Sequence, residues 1–253
     1  MPMEKVFLNV AGFNLAFYFH GSKEPGVAEQ HKAVFESGSE GFLTGEPERI
    51  DFEIEFRDRQ RTDKDSGLLI QKNKIITFYQ DNLWYKIILE NALYRLVSRN
   101  SGVIVHSSSA TRNNEAYLFL GASGAGKSTI IQLLNPTLSP INDDTSIVRI
   151  TGGNILLYQH PIIEKNSYPK SSAPYTLKGV YFLKKSKNFS VKKLTDKDLI
   201  FTKLVKQLTV SDKTTVKNLL AFTNLFDEFF SLSFPKSKGK LTSYFESLWK
   251  ITK

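Results

Sequence analysis

The stretch that most constrains this chain is Tyr117-Leu118-Phe119-Leu120 followed by Gly121-Ala122-Ser123-Gly124-Ala125-Gly126-Lys127-Ser128-Thr129. This is G-x-x-x-x-G-K-[ST] in full, with an apolar strand before it and Ile130-Ile131-Gln132-Leu133-Leu134 after it. The following segment reads as a helix that Asn135-Pro136 stops. Gly121, Gly124 and Gly126 permit backbone angles at which a side chain would clash. Consecutive N–H groups then turn inward and cradle phosphate oxygens, helped by the positive end of the helix. Lys127 reaches the β- and γ-phosphates as a point charge, and the Ser128 hydroxyl is placed to coordinate Mg²⁺. Gly121 to Thr129 is therefore expected to bind a nucleotide, with ATP and Mg²⁺ as the implied ligands.

Composition narrows the setting. The 253 residues are 41% apolar by the AVILMFWYC count, which excludes a disordered chain starved of core residues. The length allows one large domain or two small ones, each able to bury a core. With no cysteine, disulfides, thiolate metal sites and a cysteine nucleophile are ruled out. The 34 Lys+Arg against 25 Asp+Glu leave +9, read either as an anion-binding footprint or as a lysine-rich solvated surface. No targeting segment is read at the start, and no window approaches a membrane span. The protein is expected to be soluble and cytoplasmic.

Periodicity predicts the organisation. Val6–Val10, Leu15–Phe19, Ile50–Phe56, Leu68–Gln71 and Ile75–Phe78 read as short strands. Ile50, Phe52, Ile54 and Phe56 alternate with Asp51, Glu53 and Glu55, as in a half-exposed strand. Gly21–Pro25, Gly38–Gly45 and Arg57–Gly67 punctuate as loops. A helix is expected from Leu83 to near Asn100, then strands at Val103–Val105 and Ala116–Leu120 about a polar turn at Asn113-Asn114. Beyond residue 145, Ser146–Ile150, Ile155–Tyr158, Val180–Leu183 and Phe189–Leu194 read as strands, with a hairpin turn at Gly152-Gly153. Thr195–Thr209, Lys213–Phe230 and Lys240–Lys250 read as helices. The expected class is α/β: a β-rich portion over 1–82, a phosphate-loop core over 83–212 and a helical portion over 213–253. A single compact domain would satisfy the same pattern.

Phosphate chemistry needs an acid beyond the loop. Asp143-Asp144 lie past the helix at the start of a strand, where they read as a solvated turn or as a Mg²⁺-relieved carboxylate pair. The loop upstream favours the second reading. Glu164 is a further candidate metal ligand. Asp196 and Asp198 sit in a lysine-rich stretch that looks like a helix N-terminus. Three loop-bearing classes are set aside: there is no Leu-Ser-Gly-Gly-Gln stretch, no N-K-x-D or D-x-x-G run, and no apolar strand ending in Asp-Glu. His106, taken alone, reads as a structural histidine at a strand end.

Together, Val103-Ile104-Val105-His106-Ser107-Ser108-Ser109-Ala110, the Leu118–Thr129 loop and Asn142-Asp143-Asp144 resemble the catalytic core of HPr kinase/phosphorylase and its smaller serine-kinase relatives. The resemblance implies a P-loop kinase core of the HPr kinase and phosphoenolpyruvate carboxykinase type. It implies Asp144 as the base toward an acceptor hydroxyl, Asp143 as an aid to the metal, Lys127 as the loop lysine, Ser128 as the metal-binding hydroxyl, and His106 as the family histidine. Two departures stand out. Position 122 is alanine where HPr kinases place aspartate, and no Glu-Ile-Arg-Gly-like segment follows, so the resemblance leaves open both the phosphorylase direction and HPr itself as the substrate.

The function implied is an ATP-dependent serine kinase, a transferase with a hydroxyl group on a protein, peptide or small molecule as acceptor. An ATP-binding regulatory module without turnover is the alternative. A basic nucleic-acid binder, suggested by Lys184-Lys185-Ser186-Lys187 and Lys192-Lys193, ranks below both. No membrane partner is expected, and assembly of the full-length relatives leaves room for a homo-oligomer.

Overall fold

The computed structural model describes residues 3–20, 27–57, 67–78, 82–162, 168–235 and 239–250. The expected loops at 21–25 and 58–66, and Glu164, lie outside these residues. The chain divides into two units, 1–96 with 170–172 and 97–169 with 173–253. Among the described residues the fold is mixed α/β, with two sheets of mixed direction and six helices.

The first unit holds β1 (Met3–Val10), β2 (Phe13–His20), α1 (Val27–Gly38), β3 (Leu43–Thr44), β4 (Phe52–Phe56), β5 (Leu68–Ile70), β6 (Lys74–Thr77) and most of α2 (Asn82–Arg99). Its strand order is β3-β1-β2-β4-β6-β5. Ala11 and Gly12, both at positive φ, turn the β1–β2 hairpin. Phe17, Phe19 and Phe56 leave one face of this sheet and meet Phe35 of α1 and Tyr85 of α2, whose hydroxyl lies 2.6 Å from His31 Nδ1. Helix α1 falls where no element is read from the sequence; among its described side chains only Ala28 and Phe35 are apolar and buried. Strand β4 alternates as expected, but Glu55 is buried on the face expected to be wet. Burial alone would push its carboxyl up; hydrogen bonds from Lys74 and Arg57 reverse that and hold it below the usual range.

The second unit holds β7 (Gly102–His106), β8 (Ser108–Arg112), β9 (Glu115–Leu120), α3 (Lys127–Leu134), β10 (Ser139–Asn142), β11 (Thr145–Thr151), β12 (Asn154–Gln159), β13 (Tyr175–Lys185), β14 (Ser190–Lys193), α4 (Lys197–Val205), α5 (Lys213–Leu225), β15 (Phe229–Phe234) and α6 (Gly239–Lys250). The path β10-β8-β9-β13-β12-β11-β7 carries β15 as a branch on β13. At its centre β9, β13 and β15 run parallel, with Leu120 opposite Phe182 and Val180 opposite Phe229. Alternation sorts their side chains. Leu118, Leu120, Val180 and Phe182 pack with Ile200, Leu204, Leu219 and Phe222 of α4 and α5. Tyr117, Phe119, Tyr181 and Leu183 pack with Ile130, Ile131 and Leu134 of α3 and with Leu241 and Phe245 of α6. The phosphate loop thus leaves the carboxyl end of a parallel strand buried on both faces, where ligands of such sheets bind.

Within this second unit β8, β10 and β15 differ from expectation. The segment after Val105 forms a strand of its own, β8, paired to β9 through an Asn113-Asn114 turn. β10 adds a short strand before the acid pair. The helix expected to run through Phe230 stops at Leu225, and Phe229–Phe234 is β15, drawn into parallel pairing with β13.

Candidate functional site

The loop Gly121–Gly126 joins β9 to α3. Gly124 has φ 75° and Gly126 φ 104°, backbone settings that favour glycine. A Cβ on Gly126 would also stand 3.0 Å from the Phe234 ring, so both conformation and packing select glycine there. Ala122, Ser123, Gly124 and Ser128 are exposed, while Ala125 and Thr129 are half-buried. No side chain caps α3, which begins at Lys127 straight after Gly126. Its first amides are left for an anion.

Lys127 is 9% exposed, and its Nζ donates to Gly121 O at 2.8 Å, across the loop it closes. Among the described residues no carboxylate lies within ion-pair distance of it. Burial pushes its ammonium below the usual lysine range, and the charge of Asp144 opposes that shift. A buried ammonium bonded to one carbonyl is a site that an anion would complete.

Asp143 and Asp144 turn the chain between β10 and β11. Asp143 is buried and Asp144 exposed. Ser107 N donates to Asp144 O at 2.8 Å, and His106 pairs with Thr145 in the β7–β11 register. These contacts bring His106 Nδ1 to 3.1 Å from Asp144 Oδ1. Two residues 38 positions apart in sequence, of which one reads alone as structural, thus form a contact pair. Thr145 Oγ1 lies 3.4 Å from the second oxygen, Oδ2. Asp196 is the N-cap of α4, accepting from Leu199 N, which fits its reading as a helix start.

Ser128 and Asp143 supply a hydroxyl and a carboxylate, hard oxygen donors of the kind Mg²⁺ takes alongside water and phosphate. No group of three or more His, Asp or Glu side chains among the described residues could hold a metal.

Ser108 and Asn142 stand in the sequence only as members of the runs that carry the resemblance, and His160 is not singled out there at all. Ser108 Oγ donates to Lys127 O at 3.1 Å. Asn142 lies buried immediately before the acid pair, and His160 lies buried just beyond β12. Burial and desolvation hold the His160 imidazole down at about 4, against opposing effects of the Ile162 backbone and Asp144. A serine run inside a buried strand and an asparagine preceding two aspartates were the only available hints.

No family model matches this chain, and no curated protein matches it. Among solved structures it is similar to the Hpr(Ser) kinase/phosphatase from Coxiella burnetii, at 10% identity and a TM-score of 0.33, over 59% of this chain and 95% of that one. Among the described residues no helix is long and apolar enough to cross a membrane.

Proposed function

We propose that this protein is an ATP-dependent phosphotransferase that phosphorylates a serine or similar hydroxyl. The observation that carries this reading is Lys127: a buried ammonium with no carboxylate partner among the described residues, closing a complete phosphate loop. Loop amides and Lys127 bind the β- and γ-phosphates. Ser128 and Asp143 would hold Mg²⁺, which when bound supplies neutralising charge on the phosphate oxygens. His106 fixes one oxygen of Asp144 through the 3.1 Å contact, and the other accepts the acceptor's proton. The acceptor oxygen then bonds to the γ-phosphorus as its bond to the β-phosphate oxygen breaks, and ADP leaves. Because such transition states are loose, positioning and charge carry most of the rate.

The test is label transfer from γ-labelled ATP into an extract of the source cells. Asp144→Asn should bind Mg-ATP as the parent does yet transfer about 10²- to 10⁴-fold more slowly, the range typical of a lost general base. Equal transfer by that variant would remove Asp144 from the chemistry.

A further inference from the structure

The phosphate loop and the acid turn are tied together by adjacent serines. Neighbouring side chains leave a strand on opposite faces, and β8 uses this at Ser108 and Ser109. Ser108 donates to Lys127 O at 3.1 Å and so holds the first turn of α3. Ser109 faces the other way, where its Oγ accepts from Asn142 Nδ2 at 2.9 Å; the two residues are register partners in the β8–β10 ladder.

Asn142 is fully engaged. Its Nδ2 also donates to Ser146 Oγ at 3.1 Å and approaches Tyr158 O at 3.4 Å, while its Oδ1 accepts from His160 N at 2.8 Å. Ser146 Oγ donates in turn to Ser109 Oγ at 3.2 Å. Ser108, Ser109 and Ser146 are wholly buried, Asn142 is 1% exposed and His160 2%. One amide therefore joins the strand before the acid turn to the strand after it, in surroundings where an unmade hydrogen bond is costly. Asp143 and Asp144 are the next two residues along the chain.

We infer that Asn142, acting with Ser108 and Ser109, is a positioning residue that sets the place of Asp144 relative to Lys127. Its consequence for rate rests on the phosphotransfer reading; its consequence for geometry does not. Misplacing a reacting group by about 1 Å can cost on the order of 10²-fold in rate, so a buried strut between base and phosphate site has a direct kinetic role. If the network served only to join strands, its loss would lower stability and leave the His106–Asp144 contact untouched.

The experiment compares full-length parent, Asn142→Ala, Ser109→Ala and Asp144→Asn by the ¹⁵N imidazole signals of His106, by affinity for metal-free ATP and by label transfer. In Asn142→Ala the His106 signals should move toward those of Asp144→Asn. Affinity for metal-free ATP should stay within about twofold, because Ser108 still holds Lys127, while kcat with Mg-ATP falls at least tenfold. Ser109→Ala, which removes one hydroxyl, should shift everything in the same direction by less, and it decides the matter if Asn142→Ala does not fold. His106 signals that coincide with the parent's, or affinity and transfer that fall in parallel, would overturn the assignment. A parent that transfers no label would defeat the phosphotransfer reading alone, and the His106 signals would still decide the positioning claim.

Discussion

His160 shows how burial sets chemistry at a single residue. In the folded protein its imidazole stays neutral down to about pH 4, whereas in the unfolded chain it takes up a proton near its ordinary 6.5. Between those values the unfolded state binds more protons, so stability falls as the pH falls through that window. The shift amounts to about 3 kcal/mol by its lower end. His160→Gln should therefore lose less stability than the parent between pH 7 and pH 5, measured by urea denaturation at each pH; parallel losses would show that His160 is not the group responsible. None of this is legible in the sequence, where His160 is one polar residue before a proline. The loop is the opposite case. Its nine residues are consecutive, so local sequence specifies both glycine conformation and lysine placement. His106 and Asp144 fall between these extremes: each is visible, but their contact depends on the pairing of β7 with β11.

At the level of elements, periodicity located those whose apolar residues face a single partner. β9 and β13 are legible because their alternation feeds two helical layers. β8 was hidden by composition, since Ser108, Ser109 and Thr111 look like a loop until Lys127, Asn142 and Glu115 supply hydrogen-bond partners. β15 reads as part of a helix because Leu219, Phe222 and Phe226 keep helical spacing right up to it, and pairing with a strand over forty residues upstream ends that spacing. The helix start at Lys213 was legible, and its cap explains why: Asp212 accepts from Thr215 N at 2.7 Å. Asp212→Ala should cost about 1 kcal/mol, the usual value of such a cap. That corresponds to about 2–4 °C in melting temperature for a domain of 150–250 residues. An unchanged melting point would mean that α5 is held by packing alone.

For the whole molecule, the excess of +9 first suggests a polyanionic partner. Much of it lies on the surface: Lys184, Lys185, Lys187 and Lys192 are exposed, and Lys193 and Lys197 pair with Glu228 and Asp227. Lys127 is different because its charge is buried without a countercharge in the described residues. Burial thus sets Lys127 apart from the exposed lysines of the 184–192 stretch. The units differ likewise, since the loop, the acid turn and the Asn142 network all belong to 97–169 with 173–253.

Thermal denaturation with and without Mg-ATP decides whether this loop is a nucleotide site completed by anionic phosphate. Ligand at about 100 times Kd adds about 2.7 kcal/mol, which at about 2–4 °C per kcal/mol should raise the parent's melting temperature by about 5–10 °C. Lys127→Met should show no rise and, freed of a desolvated ammonium, should melt no lower than the parent without nucleotide. A parent whose melting point does not move with saturating Mg-ATP would show that the loop is not a nucleotide site.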